Sequence, residues 1–293
     1  MVSRKSRANI AKETLEILER GYYFNSFGET VAIKNLLNFA KENSIHYKPD
    51  DFKLVFSKRD SLLKENNLKN QPIFEVTHET TLEAAKRIVI DEGQNNVLCL
   101  NFASAKNPGG GFLNGSKAQE ESLARSSGMF PCIFKMKDMY EANLNFNSCL
   151  YTDNMIYSPK VPFFRNDEGE LLNAPYTVSI ITSPAVNRGA VEKNEPHNIS
   201  RIKEVMLSRM EKLLSLAVIH EHKTLILGAW GCGVFRNKAD EVAECFGEHL
   251  LDNKVFRYVF ERVIFAVHDS SKDKHVLEAF RDRFNKIESQ EGF

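Results

Sequence analysis

Several features that would classify this chain at once are missing. Its 293 residues include only five cysteines (Cys99, Cys132, Cys149, Cys232 and Cys245), an odd number, widely spaced and with no C-x-x-C. This argues against a disulfide framework and a cysteine-based zinc site, and predicts reduced thiols in a cytoplasmic protein. Net charge is absent too. Lys plus Arg and Asp plus Glu both total 39, so no bulk charge attracts a polyanion and an anionic ligand has to be held locally. No run approaches the roughly 18 apolar residues of a membrane span, and the basic start MVSRKSRANIAKETLEILERG lacks the apolar core of a signal peptide. Neither G-x-x-x-x-G-K-[ST] nor a G-x-G-x-x-G opening a helix after a strand occurs, which weakens P-loop and Rossmann readings.

The composition that remains, 42% hydrophobic and 27% charged, supports one large domain or a domain with an appendage. Ile10, Leu15, Ile17 and Leu18 before Gly21, then Val31, Ile33, Leu36, Leu37 and Ala40, fall at loosely helical spacing and predict two helices in an accessory layer. From about residue 72 short apolar runs alternate with amphipathic segments, the pattern of β-α-β units around a mostly parallel sheet. Strands are expected at 73–76, 96–102, 176–182, 224–227 and 262–267. Helices are expected at 81–92, 197–222, 239–251 and 274–287, and a hairpin over 159–175 turning at Asp167-Glu168-Gly169. The change of pattern divides the chain into a helical extension, 1–70, and an α/β domain, 71–293.

Two glycine-rich loops follow expected strands: KNPGGGFLNGSKAQEESL (106–123) after NVLCLNF, and GAWGCGVFRN (228–237) after the strand at 224–227. In open α/β sheets ligands gather beyond the carboxyl ends of strands. Gly109, Gly110 and Gly111 lack a β-carbon, so the backbone can turn sharply and bring N–H groups to an anion. Ser116 followed by Gln119 reads as an S-x-x-Q capping box, which puts Glu120 and Glu121 in the first turn of a helix. Gly231 and Gly233 with Phe235 suit a second anionic contact and a stacking surface, and two such loops suggest a diphosphate. Each has an ordinary alternative: a flexible turn for the glycines, and compensation of the helix dipole for the two glutamates. Trp230 reads as a packing anchor, His268-Asp269 as a local hydrogen bond, and Cys232 has no identifiable histidine partner. His220 and His222 lie on different helix faces and make a poor ligand pair.

The spacing Gly109-Gly110-Gly111, seven residues, Gln119-Glu120-Glu121 resembles the GGG-x(6–8)-QEE signature of poly(ADP-ribose) glycohydrolases. The surrounding LNFASAKNPGGGFLNGSKAQEESL, together with IYSPKVPFFRNDEG, ITSPAVNRGA, GAWGCGVFRN and the starting RANIAKETLEIL, is similar to the bacterial, microbial-type branch. The resemblance implies a three-layer α/β/α macrodomain with a mixed, mostly parallel central sheet, the N-terminal helical extension packed on it, and an ADP-ribose site across the strand ends. It makes Glu121 the catalytic acid and has Glu120 hold ribose hydroxyls beside the scissile bond. It also implies that Gly109, Gly110 and Gly111 cradle the diphosphate and that Gln119 belongs to the substrate site. Gly231, Cys232, Gly233 and Val234 then line the diphosphate through backbone N–H groups, Phe235 packs on the terminal ribose, and Asn107 lies near the distal ribose.

The chemistry so implied is hydrolysis of a ribose–ribose O-glycosidic bond with release of ADP-ribose. It needs a proton for the departing 2′-oxygen, support for an oxocarbenium-like centre and a positioned water. Adjacent helical residues point about 100° apart, so Glu120 and Glu121 can take different duties. No cofactor and no metal are expected. The expected substrates are ADP-ribose polymers and ADP-ribosylated proteins, acted on by a monomer with no membrane attachment. Two alternatives stay open: a hydrolase of mono-ADP-ribosylated protein, nucleic acid or small ADP-ribose derivatives, and a module that binds ADP-ribose without cleaving it.

Overall fold

A computed structural model describes residues 2–66 and 71–285. In chain order the strands are β1 (Tyr22–Phe24), β2 (Thr30–Ala32), β3 (Ile45–Tyr47), β4 (Ile73–Thr77), β5 (Val97–Phe102), β6 (Met155–Arg165), β7 (Leu171–Ser183), β8 (Thr224–Leu227) and β9 (Arg262–Ala266). The helices are α1 (Arg4–Arg20), α2 (Lys34–Glu42), α3 (Phe52–Asn66), α4 (Thr81–Lys86), α5 (Gln119–Ser126), α6 (Met129–Phe134), α7 (Lys137–Asn145), α8 (Arg188–Asn194), α9 (Ile202–Ile219), α10 (Ala239–Gly247) and α11 (His275–Phe284).

The chain forms two compact units, one of residues 1–47, 82–145 and 154–183, the other of 48–81, 146–153 and 184–293, so residues 1–70 are shared between them. The strands of the first unit run in the order β3-β6-β7-β5 and those of the second in the order β8-β9-β4. The sheet is mixed: β5 pairs with β7, β8 with β9 and β9 with β4 in parallel, whereas β6 is antiparallel to both β3 and β7. Helices pack on it, α2 and α6 against β6, α5 against β5 and α11 against β4. The fold is the α/β class expected.

In each unit one strand is a nearly unbroken apolar run, β5 in the first and β8 in the second. VLCLN in β5 and all of β8 are buried, as continuous apolar runs covered on both faces should be. The hairpin expected over 159–175 forms and extends further, because YTVSIIT continues the strand that begins at Leu171. α1 has a Ser3 N-cap that accepts from Ser6 N–H at 3.1 Å, and it ends on Gly21 at φ +79°.

The second N-terminal helix needs correction. Val31 belongs to β2, paired opposite Tyr23, and the helix starts at Lys34. Tyr23, Ile33 and Phe164 close over Ile17 in a small core, so pairing of the β-branched segment wins over helical spacing. The helices at 81–92 and 239–251 are shorter than expected, each running into a single wider turn, 87–91 and 248–252. The end of the helix expected over 274–287 lies outside the described residues. Among the described residues no helix is long and apolar enough to cross a membrane.

Candidate active site

The chain leaves β5 at Phe102 and reverses through the first glycine loop, with Gly109 at φ +71° and Gly110 at φ +57°. Ser116 does not cap the next helix: α5 begins at Gln119 with Ala118 as N-cap and no side-chain cap bond. Ser116 instead turns back onto the loop. Its N–H donates to Gly111 O at 3.2 Å, and its hydroxyl lies 2.5 Å from where a β-carbon on Gly111 would stand. Gln119 anchors the helix. Its Nε2 donates to Leu100 O at 2.8 Å and its Oε1 accepts from Phe102 N–H at 2.9 Å, so one side chain ties the first turn of α5 to the end of β5.

That anchor fixes the two glutamates. Glu120 is 3% exposed; its Oε2 accepts from Ser104 N–H at 2.7 Å and its Oε1 from Asn101 Nδ2 at 3.3 Å. Burial pushes its carboxyl up to about 8, with the Glu121 carboxylate adding to the rise, against the donors of Ser104, Asn101 and Gly109. Glu121 is 9% exposed; its Oε1 accepts from Gly111 N–H at 2.9 Å, and its Oε2 is buried with no hydrogen-bond partner among the described residues.

The glycine donors are thereby engaged. Gly109 N–H faces Glu120, Gly110 N–H donates to Asn107 O at 2.9 Å, and Gly111 N–H holds Glu121. A β-carbon on Gly110 would land on Glu121 Oε1, 3.1 Å from its Cδ and 3.2 Å from Glu120 Oε2. The bare backbone is required because the carboxylates lie directly beneath it. Asn107 is exposed and accepts an N–H bond only within this turn, its own N–H going to Ser104 Oγ at 3.2 Å. Asn101, Ser104 and Thr182, which bonds Asn101 at 3.3 Å, escaped the sequence reading. The one signal was a polar Asn101 inside the apolar run VLCLNF.

The second loop lies in the second unit, after β8. Gly231 is at φ +76°, and a β-carbon there would meet the Asn237 amide and, at 2.6 Å, Ala185. Cys232 N–H closes the turn on Ala229 O at 3.1 Å. The N–H groups of Gly231, Gly233, Val234 and Phe235 have no hydrogen-bond partner among the described residues. This loop, rather than the triplet, therefore offers the open backbone donors an anion needs. Phe235 lies 5.9 Å from the Tyr151 ring, and Tyr151, at φ +59°, is held through its carbonyl by the fully buried Arg209 at 3.1 Å. Burial pushes the Cys232 thiol up to about 12, which keeps it protonated and unsuited to nucleophilic attack. Trp230 is completely buried, as a packing anchor should be. Asp269 receives the N–H groups of Val276 and Leu277 at the start of α11, while His268 stacks on His78 at 5.5 Å.

The motif residues thus come together as a glycine turn closed over two buried carboxylates, on a helix tied to the preceding strand. The family model described as the microbial-type PARG catalytic domain, PARG being poly(ADP-ribose) glycohydrolase, matches residues 11–166. The chain belongs to the microbial-type PARG family. Among solved structures, poly(ADP-ribose) glycohydrolase from Thermomonospora curvata is 42% identical, with a TM-score of 0.87 over 96% of this chain and 100% of that one. The same enzyme bound to the inhibitor ADP-HPD is 43% identical with a TM-score of 0.86 over the same shares. The Deinococcus radiodurans enzyme in complex with ADP-ribose is 41% identical, with a TM-score of 0.79 over 86% of this chain and 98% of that one. No curated protein matches the chain. As a PARG the chain is a glycohydrolase, and the pair Glu120–Glu121 on α5 is its candidate acid–base centre.

Proposed function

We propose that this PARG hydrolyses the ribose–ribose bonds of poly(ADP-ribose) and releases ADP-ribose, with Glu121 as general acid and then general base. The observation that carries the assignment is the unequal treatment of the two Glu121 oxygens: Gly111 N–H holds Oε1, and Oε2 is left without a partner. A carboxyl fixed by one oxygen and unengaged at the other is oriented for proton transfer at a defined atom. Oε2 would protonate the departing 2′-oxygen and then draw a proton from the attacking water. Glu120, buried and pushed up to about 8, brings a proton to the pair at neutral pH, and its remaining lone pairs serve the ribose hydroxyls. The unpartnered N–H groups of Gly231, Gly233 and Val234 support a diphosphate contact, and Phe235 a ribose contact, as the resemblance implies. With this reading go a monomer, a cytoplasmic location and no resident cofactor. The ligand class is supported by the related Deinococcus radiodurans enzyme, whose structure holds ADP-ribose.

The test is Glu121→Gln assayed on labelled polymer. General acid–base catalysis contributes about 10²–10⁴-fold, so release of ADP-ribose should fall by at least about 10²-fold while ADP-ribose affinity persists. Near-normal turnover would refute the assignment. Release from mono-ADP-ribosylated protein but not from polymer would transfer the activity to that substrate.

A further inference from the structure

The first turn of α1 runs against its own helix dipole. It opens Arg4-Lys5-Ser6-Arg7 with no acidic residue, and the first carboxylate of the chain is Glu13. Cations at a helix N-terminus are unfavourable, and a local rule is broken in this way where tertiary contacts or function outweigh it.

Two of these cations reach the glycine loop, 110 and 108 residues further along the chain. Arg4 Nε donates to Asn114 O at 3.0 Å, and Arg7 Nε donates to Gly115 O at 2.8 Å. The next carbonyl, Ser116 O, accepts from Arg125, whose own carbonyl accepts from the buried Thr14 hydroxyl of α1 at 2.6 Å. Three consecutive carbonyls of the loop are thus each held by a guanidinium. The approach is so close that a β-carbon on Gly115, at φ +74°, would land on Arg4 O. The turn in its place pins the loop from within. Asn114 N–H and Ser116 N–H both donate to Gly111 O, at 3.0 and 3.2 Å, and Gly111 N–H donates to Glu121 Oε1 at 2.9 Å. A cation on Gly115 O also polarises the peptide it shares with Ser116 N–H and strengthens that donor.

We propose that Arg4 and Arg7 are positioning residues for hydrolysis: by holding the carbonyls of Asn114 and Gly115 they fix Gly111, and through it the orientation of the Glu121 carboxyl. This role rests on the reading of Glu121 as the general acid. It makes α1 part of the support of the active site, and it accounts for cations in a turn where the helix dipole disfavours them.

The test is the double variant Arg4→Gln/Arg7→Gln in the full chain, with Lys5→Gln, exposed in the same turn, as control. Turnover on labelled poly(ADP-ribose) is measured per ADP-ribose-binding site counted by calorimetry, so unfolded protein does not enter. A misplacement of about 1 Å lowers turnover about 10²-fold. The double variant should therefore lose at least about tenfold in kcat, keep its ADP-ribose affinity, and exchange the Asn114 and Ser116 amide hydrogens faster. Lys5→Gln should match the wild type, and Arg7→Lys, which keeps a cationic donor, should lose less than Arg7→Gln. In a Glu121→Gln background the double substitution should lower turnover no further, because the group it misplaces is already gone. A general weakening of the fold would act on both backgrounds alike. Wild-type kcat in the double variant, an equal loss in Lys5→Gln, or a full further loss beside Glu121→Gln would overturn the proposal and leave Glu121 as the acid. Near-normal turnover in Glu121→Gln alone would remove Glu121 as the acid, and this role with it.

Discussion

Replacing Gly110 by alanine isolates what the glycine triplet contributes to catalysis. At φ +57° an alanine costs about 1–2 kcal/mol of backbone strain. The new methyl also lands on Glu121 Oε1, so the carboxylate must move off Gly111 N–H, now 2.9 Å away. Hydrogen bonds to charged groups are worth about 1.5–3 kcal/mol, giving a total destabilisation of about 2.5–5 kcal/mol. At roughly 2–4 °C per kcal/mol for chains of about this size, the melting temperature should fall by at least about 5 °C. A misplacement of about 1 Å at the reacting group lowers turnover about 10²-fold. The control is Gly28→Ala, also at positive φ (+77°) but with nothing within 4 Å of the new methyl, where the strain remains and the collision does not. Scanning calorimetry and ADP-ribose release, measured on both variants, decide the matter. If Gly110→Ala kept wild-type turnover, or if Gly28→Ala lost as much, the triplet would be only a turn and its closeness to Glu121 would have no catalytic meaning.

Glu120 should make stability depend on pH. Its folded value of about 8 lies above the ordinary 4.5, so its contribution is fully present below about 4.5 and is lost as pH rises towards 8. Urea unfolding should show stability declining by up to about 1.4 kcal/mol per pH unit through that window, and Glu120→Gln should flatten the decline. Arg209→Met removes the donor shared by the carbonyls of Pro184, Leu150 and Tyr151 and leaves Asp153 with Lys212 alone. Breaking a buried ion pair from one side costs about 3–5 kcal/mol, which denaturant unfolding would register; a loss below about 1 kcal/mol would mean the loop carbonyls find other donors. Asp269→Ala uncaps α11 and should cost about 1–2 kcal/mol, with hydrogen exchange rising at Val276 and Leu277. The folded Asp269 carboxyl sits at about 2, below its ordinary 3.8, so its contribution is present above about 4 and disappears only as pH falls through 2.

Much of this was readable from residue order. Continuous apolar runs such as VLCLNF and TLIL identify buried strands because both faces of an inner strand are covered. The triplet and Gln119-Glu120-Glu121 signal a motif because short-range spacing survives folding unchanged. Local pattern misled where a distant partner outweighed it. Val31 joined a hairpin because Tyr23 lay opposite, and Ser116 gave up its capping role because the glycine turn folded back on it.

What residue order alone determined is the class of the fold, the family motif and the pair of carboxylates. Only the tertiary structure decided which atoms of that pair are engaged. Asn101 on β5, Ser104 after it and Gly111 in the loop reach Glu120 and Glu121 across gaps of 10–19 residues, and burial beneath Gly110 sets the protonation of Glu120. Hydrogen-bond partners and desolvation depend on distances in space, and a one-dimensional pattern carries those only where the chain is locally regular.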